Sequence, residues 1–178
     1  ASTSSPSFTS ISETNNQFRN IQEPDELKVT ESALFLASGL LPFRATPNSS
    51  IISLENTPRL NISTTFPSAN KLLLENDVLI GIGRGTITAY NVSIREQPVE
   101  LWKKELDGKS YQTARLQDGE LILVLRELQT DPLHPHPCPR TLLGTSVPCN
   151  RIWRPPVDDA DQELFLFSLN ARSGDVER

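Results

Sequence analysis

His134, His136 and Cys138 alternate along "LHPHPCP", and Cys138 and Cys149 enclose ten residues. Imidazole nitrogens and thiolates are the ligands zinc prefers, so this spacing raises a metal site. Two cysteines this close are also easily bridged, and a thiolate beside a histidine is a potential nucleophile. The prolines between the candidate ligands weigh against metal. Alternate side chains splay apart on a polyproline-like segment, and a fourth ligand has to come from elsewhere. A reactive thiolate needs an electropositive setting that nothing in the sequence places. Cys138 and Cys149 are the chain's two cysteines, so the expected chemistry is a Cys138–Cys149 disulfide. Closing so short a loop contributes about 2–3 kcal/mol on the chain-entropy estimate.

Nearby, "DDADQE" sets Asp158, Asp159 and Asp161 together, oxygen donors of the kind calcium takes. The run lacks the glycine and terminal glutamate of an EF-hand loop, and a solvated acidic turn is expected. No cofactor is expected, with calcium the option left open. Arg151, Trp153 and Arg154 are residue types that anchor interfaces, and the loop that holds them is stiff. Pro132, Pro135, Pro137, Pro139, Pro148, Pro155 and Pro156, half of the chain's 14 prolines, fall in residues 128–162. Each fixes φ and removes a donor, which predicts an extended insertion lying outside any strand ladder. A recognition loop bearing Arg151, Trp153 and Arg154 is the functional reading; Trp153 folding back over a strand edge is the structural one.

The elements that carry this loop are strands. Apolar residues recur in runs of four to eight, bounded by Gly, Asn, Asp or Pro, and no long window keeps a helical period. The runs are "ELKVT" (26–30), "SALFLAS" (32–38), "SIISLE" (50–55), "RLNIS" (59–63), "NKLLLE" (70–75) and "DVLIGIG" (77–83), then "TITAYNVS" (86–93), "VELWKKEL" (99–106), "YQTARLQ" (111–117), "ELILVLREL" (120–128) and "ELFLFSLN" (163–170). They repeat a unit of strand, tight polar turn, strongly apolar strand, turn and further strands, roughly 40 residues long. That is the length of a four-stranded propeller blade, and an all-β fold of about three such meanders follows. Strands such as "VLIGIG" and "LILVL" are apolar at successive positions, as strands buried on both faces must be. The glycines of "GIGRG" precede a strand rather than a helix, so they suit close backbone approach better than phosphate binding.

Three stretches resemble a known family. "NIQEPDELKVTESALFLAS" is similar to its leading acidic pattern, with Glu23, Asp25, Lys28 and Val29 in place. "ITAYNVSIREQPVELWKKELDGKSYQTARLQDGELILVLRE" places Tyr90, Val92, Ser93, Pro98, Gly108, Tyr111, Arg115 and Gly119 in register. "VPCNRIWRPPVDDADQELFLFSLNARSG" is similar to the segment that follows its proline-rich excursion. On these residues the chain resembles the bacterial and archaeal secreted proteins with a C-terminal β-propeller domain, distantly related to WD repeats. It departs from their pattern at Asn91, where an aspartate is expected, and in the Pro/Ser/Asn-rich stretch 42–58. The resemblance implies a secreted or envelope location for residues 18–178 as an incomplete, N-terminal portion of a propeller. The remaining blades are then expected from sequence outside this chain or from a second polypeptide, since closed propellers use four to eight.

The rest bounds function. Net charge is −5 with both signs interspersed, and the absence of a basic stripe argues against nucleic acid. No apolar run reaches the length of a membrane helix. Residues 1–17 are Ser/Thr-rich and read as a linker or disordered tail, and the missing initiator Met suggests a processed product. The leading expectation is a non-enzymatic extracytoplasmic scaffold that binds an envelope protein or a glycan. One alternative is a hydrolase-type enzyme completed by further blades, with Glu75, Asp77 and Asp118 as its carboxylates, because both histidines lie in the loop. The other is a secreted metal- or calcium-binding protein.

Overall fold

The apolar runs fold as strands in every case, and their meander order sets where each face points. A computed structural model describes residues 21–38, 48–54, 61–128, 140–151 and 162–177. β1 (Leu27–Val29), β2 (Ala33–Leu36), β3 (Asn48–Ser53) and β4 (Asn61–Pro67) form one antiparallel sheet in chain order. β5 (Lys71–Glu75), β6 (Val78–Ile82), β7 (Thr86–Asn91) and β8 (Val99–Glu105) form a second in the same way. β9 (Ser110–Gln117) and β10 (Glu120–Leu128) begin a third. A separate hairpin, β11 (Arg140–Leu142) and β12 (Thr145–Val147), precedes its next strand, β13 (Gln162–Asn170). There is no α-helix among the described residues. The Ser/Thr-rich opening, residues 1–17, lies outside them.

Three sequence expectations change. The third sheet has three strands among the described residues, in the order β13-β10-β9, rather than four. Past β13 the chain turns back. Val176 bridges to Leu169 and Glu177 N donates to Ser168 O at 2.8 Å, where β4 and β8 lie in the other sheets. The insertion is not extended throughout, since β11 and β12 make an antiparallel hairpin inside it. Leu143 and Gly144 both take positive φ (49° and 77°) in its two-residue turn, the conformation such a tight hairpin demands. β4 also runs beyond the expected Ser63 to Pro67. It is an edge strand paired only with β3, so a proline at its end removes no ladder donor.

The sheets pack face to face in chain order. One face of the first sheet (Ala33, Phe35, Ile51, Phe66) meets Leu72, Leu74, Leu79 and Tyr90 of the second. The opposite face of the second sheet (Leu73, Ile80, Ile82, Ile87) meets Leu116, Leu121, Leu123, Leu125 and Phe167 of the third. The middle sheet is therefore covered on both sides, and every residue of β6 is buried. This is why "VLIGI" shows no polar alternation. Each such aliphatic side chain contributes about 1.5–3 kcal/mol on burial. Gly81 belongs to this packing: a Cβ there would stand 3.1 Å from the Ala69 Cβ, so the first two sheets approach closely because it has none. Leu143 reaches back from the hairpin into the core between the second and third sheets, and Val147 packs beside it.

Turn chemistry fixes the registers. Asp118 and Gly119 sit at φ 51° and 78° between β9 and β10, and Asp107 and Gly108 at 49° and 78° between β8 and β9. Asp-Gly is the pair that two successive positive φ values favour. Between sheets, buried Ser49 accepts hydrogen bonds at Oγ from Ser38 N (3.2 Å) and Ala69 N (3.0 Å), tying the first sheet to the strand that opens the second.

Candidate functional site

Polar side chains converge where the first strands of the sheets lie side by side: β5 contacts both β1 and β9. A first strand in a meander has one unpaired edge, and such edges invite foreign strands unless covered. Here the segment leading into β1 covers them. Gln22 and Leu116 of β9 exchange backbone hydrogen bonds at 2.8 and 3.1 Å, and Asp25 and Leu72 of β5 exchange them at 3.0 and 2.6 Å. Ion pairs follow the same path. Arg115 Nη2 lies 3.1 Å from Glu23 Oε1, and Lys71 Nζ lies 3.2 Å from Glu26 Oε1. Glu23 and Arg115 belong to two of the stretches that carried the family resemblance, far apart in sequence and paired in space. Both pairs are partly exposed, so each stabilises by no more than about 1 kcal/mol; their value is in orientation.

Lys28 lies beneath this edge, buried, with Nζ donating to Glu23 O at 2.6 Å. Burial holds its ammonium below the ordinary lysine pKa, against the pull of Asp25 and Glu23. The sign follows from linkage. Below the folded pKa both states carry the proton and the full cost of burying the charge is present. As pH rises from there toward 10.5, the native state releases its proton first, the unfolded chain holds more protons, and stability rises. Urea unfolding from pH 7 to 10.5 is expected to show the wild type gaining on Lys28→Met over the upper part of that range. Parallel curves would mean that the ammonium is well hydrated.

The carboxylates considered for catalysis are placed in turns. Glu75 Oε2 accepts from Gly119 N at 2.7 Å, joining the β5–β6 turn to the β9–β10 turn. Asp77 pairs with Arg172 through Oδ1, and its carbonyl accepts from Val92 N at 2.8 Å. Asp118 supplies a positive-φ turn position. Glu75 and Asp77 join the second sheet to turns of the third, and none of the three carboxylates lines the cavity beside β4. A small cavity of about 120 Å³ opens between the end of β4 and the second sheet, lined by Ser68, Gly81, Thr88, Tyr90, Glu100 and Lys103. Tyr90 stands edge-on to Phe66 with ring centroids 5.5 Å apart, and burial pushes its phenol up. The volume falls well below the few hundred Å³ of ordinary small-molecule sites.

In the loop, Arg151 is exposed at the end of a short 3-10 turn (Cys149–Arg151), its amide donating to Pro148 O at 3.0 Å. Cys149 is in the same turn and is not a free cysteine. His134, His136, Cys138, Trp153, Arg154, Asp158, Asp159 and Asp161 lie outside the described residues. No group of three potential metal ligands occurs among the described residues. No helix among them is long and apolar enough to cross a membrane.

Two residues that sequence reasoning passed over hold the sheets. Trp102, on the outer strand β8, donates through Nε1 to Ala171 O at 2.8 Å, and its ring lies against Gly174. Leu143 plugs the hairpin into the core. The only signal for Leu143 was Gly144 between short β-forming runs, and for Trp102 there was none beyond its size.

Comparison with known proteins adds length more than function. The chain is 31% identical over 188 residues to an uncharacterized protein of Archaeoglobus fulgidus, covering 93% of this chain and 28% of that protein. It is 28% identical over 179 residues to an uncharacterized protein of Methanocaldococcus jannaschii, covering 94% of this chain and 25% of the other. The chain thus spans about a quarter of the length of the curated relatives it matches. No protein-family model matches, and no solved structure matches.

Proposed function

We propose that the three sheets are consecutive blades of a β-propeller, and that the protein is a non-enzymatic scaffold binding a protein or glycan outside the cytoplasm, at the cell envelope. The observation that carries this reading is the stacking. Successive meanders pack face to face with their first strands adjacent, the middle one covered on both sides. Radially repeated meanders place their strands in this way around a common axis. Further blades, from the same polypeptide or a second one, complete the ring. The resemblance to secreted propeller-domain proteins supports the location, and the expected Cys138–Cys149 disulfide would fit it, since disulfides persist in oxidising compartments.

The recognition element is the insertion in the third blade. Its hairpin is anchored by Leu143 in the core with Val147 packed against it, so Arg151 follows closely on a braced base, and Trp153 and Arg154 come next in the sequence. A braced loop loses little conformational freedom on binding. The catalytic alternative is weakened by the engagement of Glu75 and Asp77 in inter-sheet contacts.

The test substitutes Arg151, Trp153 and Arg154 together by alanine and leaves the hairpin in place. Binding of the wild type to envelope extracts and to a glycan array is expected to fall at least tenfold in the variant, with the melting temperature unchanged. Equal binding by both would remove the loop from recognition.

A further inference from the structure

In each sheet, the second and third strands supply the face that the following sheet covers. In the first sheet that face holds Phe35 and Ile51, and in the second Ile80 and Ile87, all buried. The counterparts in the third sheet are Ile122 and Val124 on β10 and Leu164 and Leu166 on β13, directed away from the second sheet. Val124 and Leu166 are cross-strand partners. Here the face is open: Ile122 is 39% exposed, Leu164 67% and Leu166 70%. A free-standing sheet of a soluble protein alternates apolar-in with polar-out, and this one carries an apolar cluster on its outward side as well, bounded by Arg126 opposite Leu164 and by Ser168 opposite Ile122. The relatives extend over three to four times the matched length, so in them there is polypeptide to cover such a face.

We propose that this face is the seat of a fourth four-stranded meander, contributed by sequence outside these 178 residues and packed as the third sheet packs on the second. The proposal rests on the blade reading above and specifies where the array continues. Past β13 the chain turns back along its outer edge, Val176 bridging Leu169 and Glu177 N donating to Ser168 O, which leaves the exposed leucines of β13 uncovered by it. The occupant should present aliphatic residues from its first and second strands, as Leu116, Leu121 and Leu123 do toward the second sheet. Toward β9 the seat turns polar, with Arg115 half-buried and Thr113 and Gln117 exposed, so polar groups should meet the occupant at that edge.

The experiment introduces Leu164→Asp with Leu166→Asp, and separately the milder Leu164→Ser with Leu166→Ser, into the full-length gene product and into the 178-residue chain. The melting temperature of the full-length protein is expected to fall by about 5–10 °C with the aspartates and by less with the serines, while the shorter chain moves by less than about 2 °C. No change in either protein, or equal falls in both, overturns the proposal. So does a gene product that ends at Arg178 and is monomeric, or a 178-residue chain that dimerises through this face and is made monomeric by the aspartates. A cryo-microscopy map of the full-length protein separates the two layers of inference. A ring whose stability ignores the aspartates sinks the seat alone, and a particle without a ring sinks the blade reading.

Discussion

Gly174→Ala is expected to destabilise the chain by about 3–5 kcal/mol, among the largest effects of any single methyl addition in the fold. Two causes act together. Gly174 sits at φ 73°, where a side chain is strained. Its added Cβ would also stand 2.7 Å from both Cγ and Cδ2 of Trp102, the rigid base of the indole. The ring cannot swing away freely, because Nε1 is held by Ala171 O at 2.8 Å. Urea unfolding measures the loss, and a double-mutant cycle with Trp102→Ala identifies its source. Much of the penalty should vanish in the alanine background, leaving about 1–2 kcal/mol for the backbone. An undiminished penalty would show that the indole is not the obstacle.

Leu123→Ala is expected to cost about 3–4 kcal/mol, the range for a fully buried leucine whose cavity cannot collapse. Leu123 is completely buried at the centre of β10, opposite Ala114 on β9 and Phe167 on β13, and faces the second sheet. Leu166→Ala, from the opposite face of the same sheet, should stay within about 0.5 kcal/mol in the 178-residue chain. Comparing the two by thermal unfolding reads out which face of the third sheet is covered. Similar losses at both positions would mean the face assignment is wrong.

Most strands were legible as continuous apolar runs between turn residues. Burial on two faces writes "VLIGI", whereas "LILVL", expected to be covered on both sides, is buried on one and leaves Ile122 39% exposed on the other. Turn residues were legible for a related reason: Asp-Gly at 107–108 and 118–119 meets a demand on φ that few residues satisfy. The hairpin at 140–147 was not, since its strands are three residues long and its buried residue, Leu143, lies in the turn. Proline density around it suggested an extended path, and packing of Leu143 on the core outweighed that tendency. For the candidate site, residue types were visible and their partners were not. Glu75 and Asp77 looked available for chemistry, yet the groups that engage them, Gly119 N and Arg172, come from turns distant in sequence. Long-range pairings of that sort leave no periodic trace. Glu23 and Arg115 became visible only through resemblance, which marked both without indicating that they meet.

The pairing of Gln22 with Leu116 and of Asp25 with Leu72 bears on how the chain folds. Meanders that touch only their neighbours behave as a linear array in which each unit can open independently. A segment stitched to both the second and third sheets breaks that independence, because residues that precede β1 find their last partner only after β9 has formed. Unzipping from one end then requires the stitch to be broken first, and three nearest-neighbour units melt as one.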